Sequence, residues 1–399
     1  MKPTLVPLPL GYRASGIHAG LKPKGRLDMG LLYSDTPAAW AGLVTKNEVR
    51  SAPARRTERL LKGGKALRAV VVNTKFANDL TGRQGMRDCD DTARLTARLL
   101  KVGPDEVLVH STGVVGVPIP RPKVFKGVVL GVDALSPAGG GAFAQAILTT
   151  DLVPKVFCRP LALGGKNAWL MGCAKGSGMI HPNMATMLAY LLTDAAVPAP
   201  VLKRLLREVG DKTFNRLTVD GDTSPSDSLV LLANGAAHTP RLKGSGRDYN
   251  AFKEAVLAVS TDLAKAVARD GEGASKLVTV TVTGAHNGKD AELAAMAVAK
   301  SPLVKTAVFG ADPNWGRILV AVGYSGARVE EFKARVTIGG YTLYRGRPVT
   351  GWSRARLRSI LSRKDVEIKV DLGLGNGAST VWTCDLSYDY VRINGEYTT

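Results

Sequence analysis

Runs rich in β-branched residues alternate with stretches of helical periodicity along the whole chain, and this alternation restricts the fold more than any other feature. Residues 67–72, 106–110 and 276–283 read as strands. Residues 91–102, 141–148, 199–209 and 249–268 carry apolar side chains at helical spacing. Residues 335–345 read as a hairpin turning at Gly339-Gly340, and 366–392 holds two or three further strands. Strands and helices follow one another irregularly, so the class is α/β or α+β, with sheets covered by helices. No solenoid period or low-complexity linker divides the chain, and the clearest boundary falls after Gly284.

The 399 residues suffice for two or three domain-sized units. With 45% hydrophobic and 22% charged residues, 44 Gly and 21 Pro, the composition excludes collagen, coiled coil and disorder. The most apolar stretch, 184–192, runs into Thr193 and Asp194 well short of the roughly 18 residues a membrane helix needs, which points to a soluble protein. Leucine alternates with proline over residues 1–10, unlike the apolar core of a secretory signal, and the expected location is cytoplasmic. Cys89, Cys158, Cys173 and Cys384 are widely spaced, with no CxxC pair and no histidine at zinc-ligand spacing, so they read as reduced structural thiols. A net charge of +20 raises nucleic-acid binding. However, only 6% of residues are aromatic, and the densest basic stretch, Arg354 to Lys364, looks like a solvated helix face. Steering of anionic metabolites uses the same field.

Three segments could carry chemistry. Ser111-Thr112-Gly113-Val114-Val115-Gly116 follows a strand, so its small residues could turn backbone N–H groups toward an oxyanion, with a tight turn as the plain alternative. In Lys175-Gly176-Ser177-Gly178-Met179-Ile180-His181-Pro182-Asn183-Met184-Ala185-Thr186-Met187-Leu188, glycines and a proline break regular structure before an apolar run. Thr186 on its own reads as a core residue there. Asp220-Gly221-Asp222-Thr223-Ser224-Pro225-Ser226-Asp227 has the look of a calcium loop but lacks the later bidentate Glu, so an acidic turn is the default. The glycine-rich pieces at 164–166 and 284–289 lack the frame of a P-loop or a dinucleotide site.

In chain order these segments, with Thr45-Lys46-Asn47, Thr149-Thr150-Asp151, Phe214-Asn215, Asp270-Gly271-Glu272-Gly273-Ala274-Ser275-Lys276, Asp312-Pro313-Asn314-Trp315-Gly316-Arg317 and the terminal Tyr390 to Thr399, resemble one family. It is the self-cleaving glutamate N-acetyltransferases that act on acetylornithine, and the resemblance spans nearly the whole chain. Two segments depart from the family's pattern. Asn73-Thr74-Lys75-Phe76-Ala77-Asn78-Asp79 stands where the family has Asn-Ser-Gly-Asn-Ala-Asn-Ala, and Pro225-Ser226 replaces Thr-Asn. These are the places where the pocket rim or subunit contacts would differ from the family.

The resemblance implies a layered α-β-β-α sandwich of two stacked sheets between helices, formed by 1–284 and the tail 386–399, plus a smaller α/β domain over 285–385. It implies cleavage between Ala185 and Thr186, with the freed amine of Thr186 serving as base for its own hydroxyl. The two fragments would stay together as an α/β heterodimer and pair into a heterotetramer. Acetyl transfer from N2-acetylornithine to glutamate would then be ping-pong, with Thr112 and Gly113 at the oxyanion. Substrate contacts are implied for Thr149, Lys175, Thr186, Glu272, Asn394 and Thr399, with Lys175 suited to a carboxylate and Glu272 to an ammonium. Without the resemblance, Glu272 would read as a helix-end carboxylate and Asn394 and Thr399 as a frayed tail. No cofactor or metal is implied, because the acetyl group rides on the enzyme; acetyl-CoA could serve as a second donor. The competing readings are an aminopeptidase or amidohydrolase of the same fold, whose acyl-enzyme is resolved by water, and an uncut basic nucleic-acid-binding scaffold.

Overall fold

The computed structural model describes residues 6–181 and 187–396. Strands β1 (Tyr12–Ile17), β2 (Met29–Val44), β3 (Leu67–Asn73) and β4 (Val107–Ser111) form a first sheet, antiparallel except for the parallel β3–β4 pair. β5 (Lys155–Leu163), β6 (Lys166–Lys175), β7 (Leu188–Thr193) and β8 (Ser228–Ala233) form a second. The long strand β2 serves both. Its register breaks between Tyr33 and Ala38, and from Ala39 to Val44 it leaves β3 and pairs with β8. Pro37 lies in the break, where its missing N–H interrupts the ladder without loss.

Period-2 alternation makes both faces of each sheet apolar. Val70 and Val72 of β3 point inward to meet Met171, Tyr190 and Val230 of the second sheet, while Ala69 and Val71 point outward. Helices α1 (Ala52–Gly63), α2 (Gly82–Leu100), α3 (Arg121–Asp133) and α4 (Gly140–Ala146) accompany the first sheet, with Ala93 of α2 and Val128 of α3 covering that outward face. On the far side, Leu205 of α5 (Ala199–Lys212) and Leu263 of α6 (Arg247–Arg269) cover Leu191 and Leu231. The result is the expected α-β-β-α sandwich.

The remaining strands, β9 (Leu277–Ala285), β10 (Arg335–Ile338), β11 (Tyr341–Arg345), β12 (Asp365–Asp371) and β13 (Gly377–Cys384), form a separate sheet in the order β11-β10-β12-β9-β13. It packs with α7 (Gly288–Lys300), α8 (Pro302–Phe309), α9 (Trp315–Gly323) and α10 (Arg354–Leu361) around its own apolar cluster. The hairpin turns at Gly339-Gly340 as the sequence indicates, both with positive φ. β9 lies between β12 and β13, so 277–284 pair into this sheet, while Leu277 at the start of the strand still packs in the core of the sandwich. Of the two or three strands read over 366–392, β12 and β13 are present, and the chain then forms a helix, α11 (Tyr388–Glu396), closed by the Arg392–Asp389 ion pair one turn apart. No helix among the described residues is long and apolar enough to cross a membrane.

Candidate active site

The end of β4 runs beside the turn that follows β3. Thr112 N–H donates to Asn73 O, Val114 N–H to Lys75 O and Ala77 N–H to Val114 O, so the two turns are stitched together. Gly113 between them has φ +130°, and a Cβ there would lie 2.4 Å from the Lys75 carbonyl carbon, which only glycine avoids. Its neighbours' N–H groups point into the protein, and Gly113 N–H is left without a protein acceptor among the described residues. That is the geometry an oxyanion donor needs.

Lys175 ends β6, paired with Leu188 at the start of β7. It is buried, and its Nζ donates to Thr112 Oγ1 at 3.2 Å and lies 4.0 Å from Asp151 Oδ2. Since Thr112 Oγ1 accepts from the lysine, its own O–H remains free to donate elsewhere. Burial pulls the Lys175 pKa down, opposed by the Asp151 charge. Asp151 is the hub of the site. Its Oδ1 accepts from Lys155 Nζ and Gly176 N–H, both at 2.7 Å, and its Oδ2 from Thr149 N–H at 3.0 Å. Burial would raise this carboxyl, but Lys175 and Lys155 outweigh it and hold it well below the carboxylate range. Lys155 also donates to Asp270 Oδ2 at 2.5 Å.

The Asp270 segment delivers Glu272. Ser177 Oγ donates to Asp270 O, and Glu272 N–H donates back to Ser177 O. Asn394 on α11 donates from Nδ2 to Glu272 Oε2 at 2.9 Å, so the tail helix meets the residue its motif was matched with. A Cβ at Gly178 would lie 2.3 Å from the Glu272 carboxylate, so any larger residue there would displace that side chain from its present position.

Thr112, Gly113, Thr149, Lys175, Glu272 and Asn394, expected from sequence to act together, line one pocket of about 290 Å³. Its size is at the lower end of small-molecule sites, about 300–1,000 Å³. Ala185, Thr186 and Thr399 lie outside the described residues. The acidic turn serves the structure, since Asp220 accepts the N–H groups of Met179 and Ile180. Thr45 and Asn47 donate to the carbonyls of Ser224 and Thr223, so that motif props the loop carrying Ser224 and Ser226 into the pocket. Asn314 merely caps α9, and Arg317 donates to Leu303 O in the second unit.

Sequence reasoning missed Asp79, Ser224 and Ser226 as pocket residues. The signal for two of them was present: Asp79 closes the first departing segment and Ser226 the second. Ser226 Oγ donates to Asp79 Oδ1 at 2.8 Å, so the two departures meet. Burial raises the Asp79 carboxyl to about 6, against the hydrogen bonds from Ser226 and Ser51. A larger cleft, about 990 Å³ between β2, α1 and α5, gathers none of the expected residues.

Fold and site define a layered α/β protein with a small pocket of mixed charge at its strand ends. The chain belongs to the ArgJ family, whose pattern matches residues 13–399. It is similar to the arginine biosynthesis bifunctional protein ArgJ of Thermus thermophilus, with 49% identity over 99% of this chain and 100% of that protein. The protein of the same name from Symbiobacterium thermophilum is 47% identical over 99% of this chain and 98% of its own length. A crystal structure of the Bacillus halodurans ArgJ protein aligns at TM-score 0.50 and 44% identity, covering 51% of this chain and 96% of the solved one.

Proposed function

We propose that this chain is a glutamate N-acetyltransferase of arginine biosynthesis, acting in the cytoplasm, that moves the acetyl group of N2-acetylornithine to glutamate through acetyl-Thr186. The observation that carries this reading is the single pocket in which Thr112, Gly113, Thr149, Lys175, Glu272 and Asn394 meet. Hydrolysis of the 185–186 peptide bond leaves a carboxylate on Ala185 and a free amine on Thr186. That amine takes the proton of its own Oγ, which attacks the acetyl carbonyl. The resulting oxyanion is received by Thr112 O–H and Gly113 N–H. Collapse breaks the bond to the ornithine α-nitrogen, which leaves with the proton. The α-amine of glutamate then attacks the acetyl ester, giving N-acetylglutamate and restoring Thr186.

The sheet pairing supports a cut enzyme that stays assembled. β6, before the cut, is hydrogen-bonded to β7 after it, and β2 likewise to β8. The half-length solved relative agrees with such a division. Two of these heterodimers would form the heterotetramer, and the division into two structural units falls ahead of β9.

Denaturing electrophoresis tests the cut. Scaling 42.2 kDa by 185/399 and 214/399 gives fragments of about 20 and 23 kDa, the larger beginning at Thr186. Thr186→Ala should give one uncut, inactive chain, and labelled acetylornithine alone should label the larger wild-type fragment. An intact, active wild-type chain overturns the mechanism, and acetate release unaffected by glutamate makes the enzyme a hydrolase. Replacing acetylornithine by acetyl-CoA in the same assay decides whether a second donor is used.

A further inference from the structure

Asp79 is the one pocket carboxyl whose charge nothing among the described residues answers. The residue is 2% exposed yet lines the cavity. Its partners are neutral: the Ser226 hydroxyl at Oδ1 and the hydroxyl of Ser51. Among the described residues it forms no ion pair, whereas Glu272 accepts from the neutral Asn394 amide and lies in the field of Lys175, which is itself drawn to Asp151. Burying a carboxylate without a cation is unfavourable, and burial raises its pKa accordingly. A cation brought in by the ligand removes that penalty.

The substrate read above has matching chemistry. N2-acetylornithine carries an α-carboxylate, an acylated α-nitrogen and a free ammonium at the end of its side chain. The pocket holds one lysine and two carboxyls, Glu272 and Asp79; the acylated α-nitrogen is a neutral amide, so the side-chain ammonium is the donor's one cation. We propose that Asp79 is a specificity residue that receives the side-chain ammonium of the donor, with Ser226 and Ser51 holding its carboxylate in place. This rests on the proposed acetylornithine activity. It also assigns a purpose to the two departing segments, which together place this hydrogen-bonded acid at the rim.

The test compares N2-acetylornithine with N2-acetylnorvaline, which has the same carbon chain without the ammonium, as donors to glutamate with the processed enzyme. In Asp79→Asn the ratio of kcat/KM for acetylornithine over acetylnorvaline should fall about tenfold or more, chiefly through KM for acetylornithine. Asp79→Ala should lower the same ratio. Because the ratio is internal to each variant, partial misfolding does not imitate the effect. A ratio equal to wild type in both variants overturns the proposal and leaves Asp79 as a support for the 224–226 loop. Calorimetric titration reads the site without turnover: wild type should bind ornithine more tightly than norvaline, and Asp79→Asn should lose most of that difference. Equal wild-type affinities overturn the proposal. Failure of the acetylornithine reading shows separately, as wild-type enzyme that labelled acetylornithine does not acylate.

Discussion

The two walls of the pocket treat buried charge in opposite ways. On the wall formed by the end of β6, Lys175, Lys155, Asp151 and Asp270 answer one another inside the protein. At the rim, Asp79 is buried to a similar degree and has only hydroxyls for company. A matched network is permanent framework: it fixes Thr149, Lys175 and the Glu272 segment whether or not a ligand is bound. An unmatched acid is a place kept for a charge that comes and goes. The difference suggests which residues serve chemistry common to both substrates and which serve discrimination between side chains.

Three experiments would break or sharpen this contrast. The largest effect is expected from Lys155→Met, which leaves Asp151 and Asp270 facing each other in the interior. Loss of one partner from a buried pair costs about 3–5 kcal/mol. Denaturant titration should show that loss, and a change below about 1 kcal/mol would mean that the wall is not held by its charges.

Next comes Thr112→Ala, which removes an oxyanion donor and the acceptor for Lys175 Nζ. kcat should drop by roughly 10²–10³-fold, about 2.7–4 kcal/mol, with little change in KM. Should KM rise with kcat untouched, Thr112 holds ground-state substrate instead.

The smallest effect is the pH dependence of the rim. Asp79 titrates near 6 in the folded chain against 3.8 ordinarily. The folded state therefore prefers the protonated form, a contribution present below about pH 4 and lost as pH rises through 6. Ligand-free Asp79→Asn should be more stable than wild type at pH 8, by on the order of 1–3 kcal/mol, and the gap should close below pH 4. Thermal unfolding across that range checks it. A variant less stable than wild type at pH 8 would mean that the carboxylate is matched in the protein after all.

Much of the fold was legible because local pattern and tertiary demand agree. Dense β-branching at 67–72 announced β3, and paired glycines announced the hairpin between β10 and β11. At the carboxyl end local pattern alone says little: Asn394, which without the family resemblance reads as part of a frayed tail, sits on α11 and donates to Glu272 across 122 residues. The strand read at 276–283 is β9, but its pairing with β12 and β13 came only from the structure, because a strand's own pattern does not name the sheet that accepts it.

By itself the sequence determined the family, the succession of strands and helices, and the residue types of the site, since those follow from short-range periodicity and from motifs in order along the chain. Only the tertiary structure decided partnerships: Lys175 with Thr112 across 63 residues, Lys155 with Asp270 across 115, Ser226 with Asp79 across 147. The strength of a charge interaction depends on distance in space and on the water excluded around it. Neither is written in the spacing of residues along a chain, so the matched wall and the unmatched rim became distinguishable only once the sheets had packed.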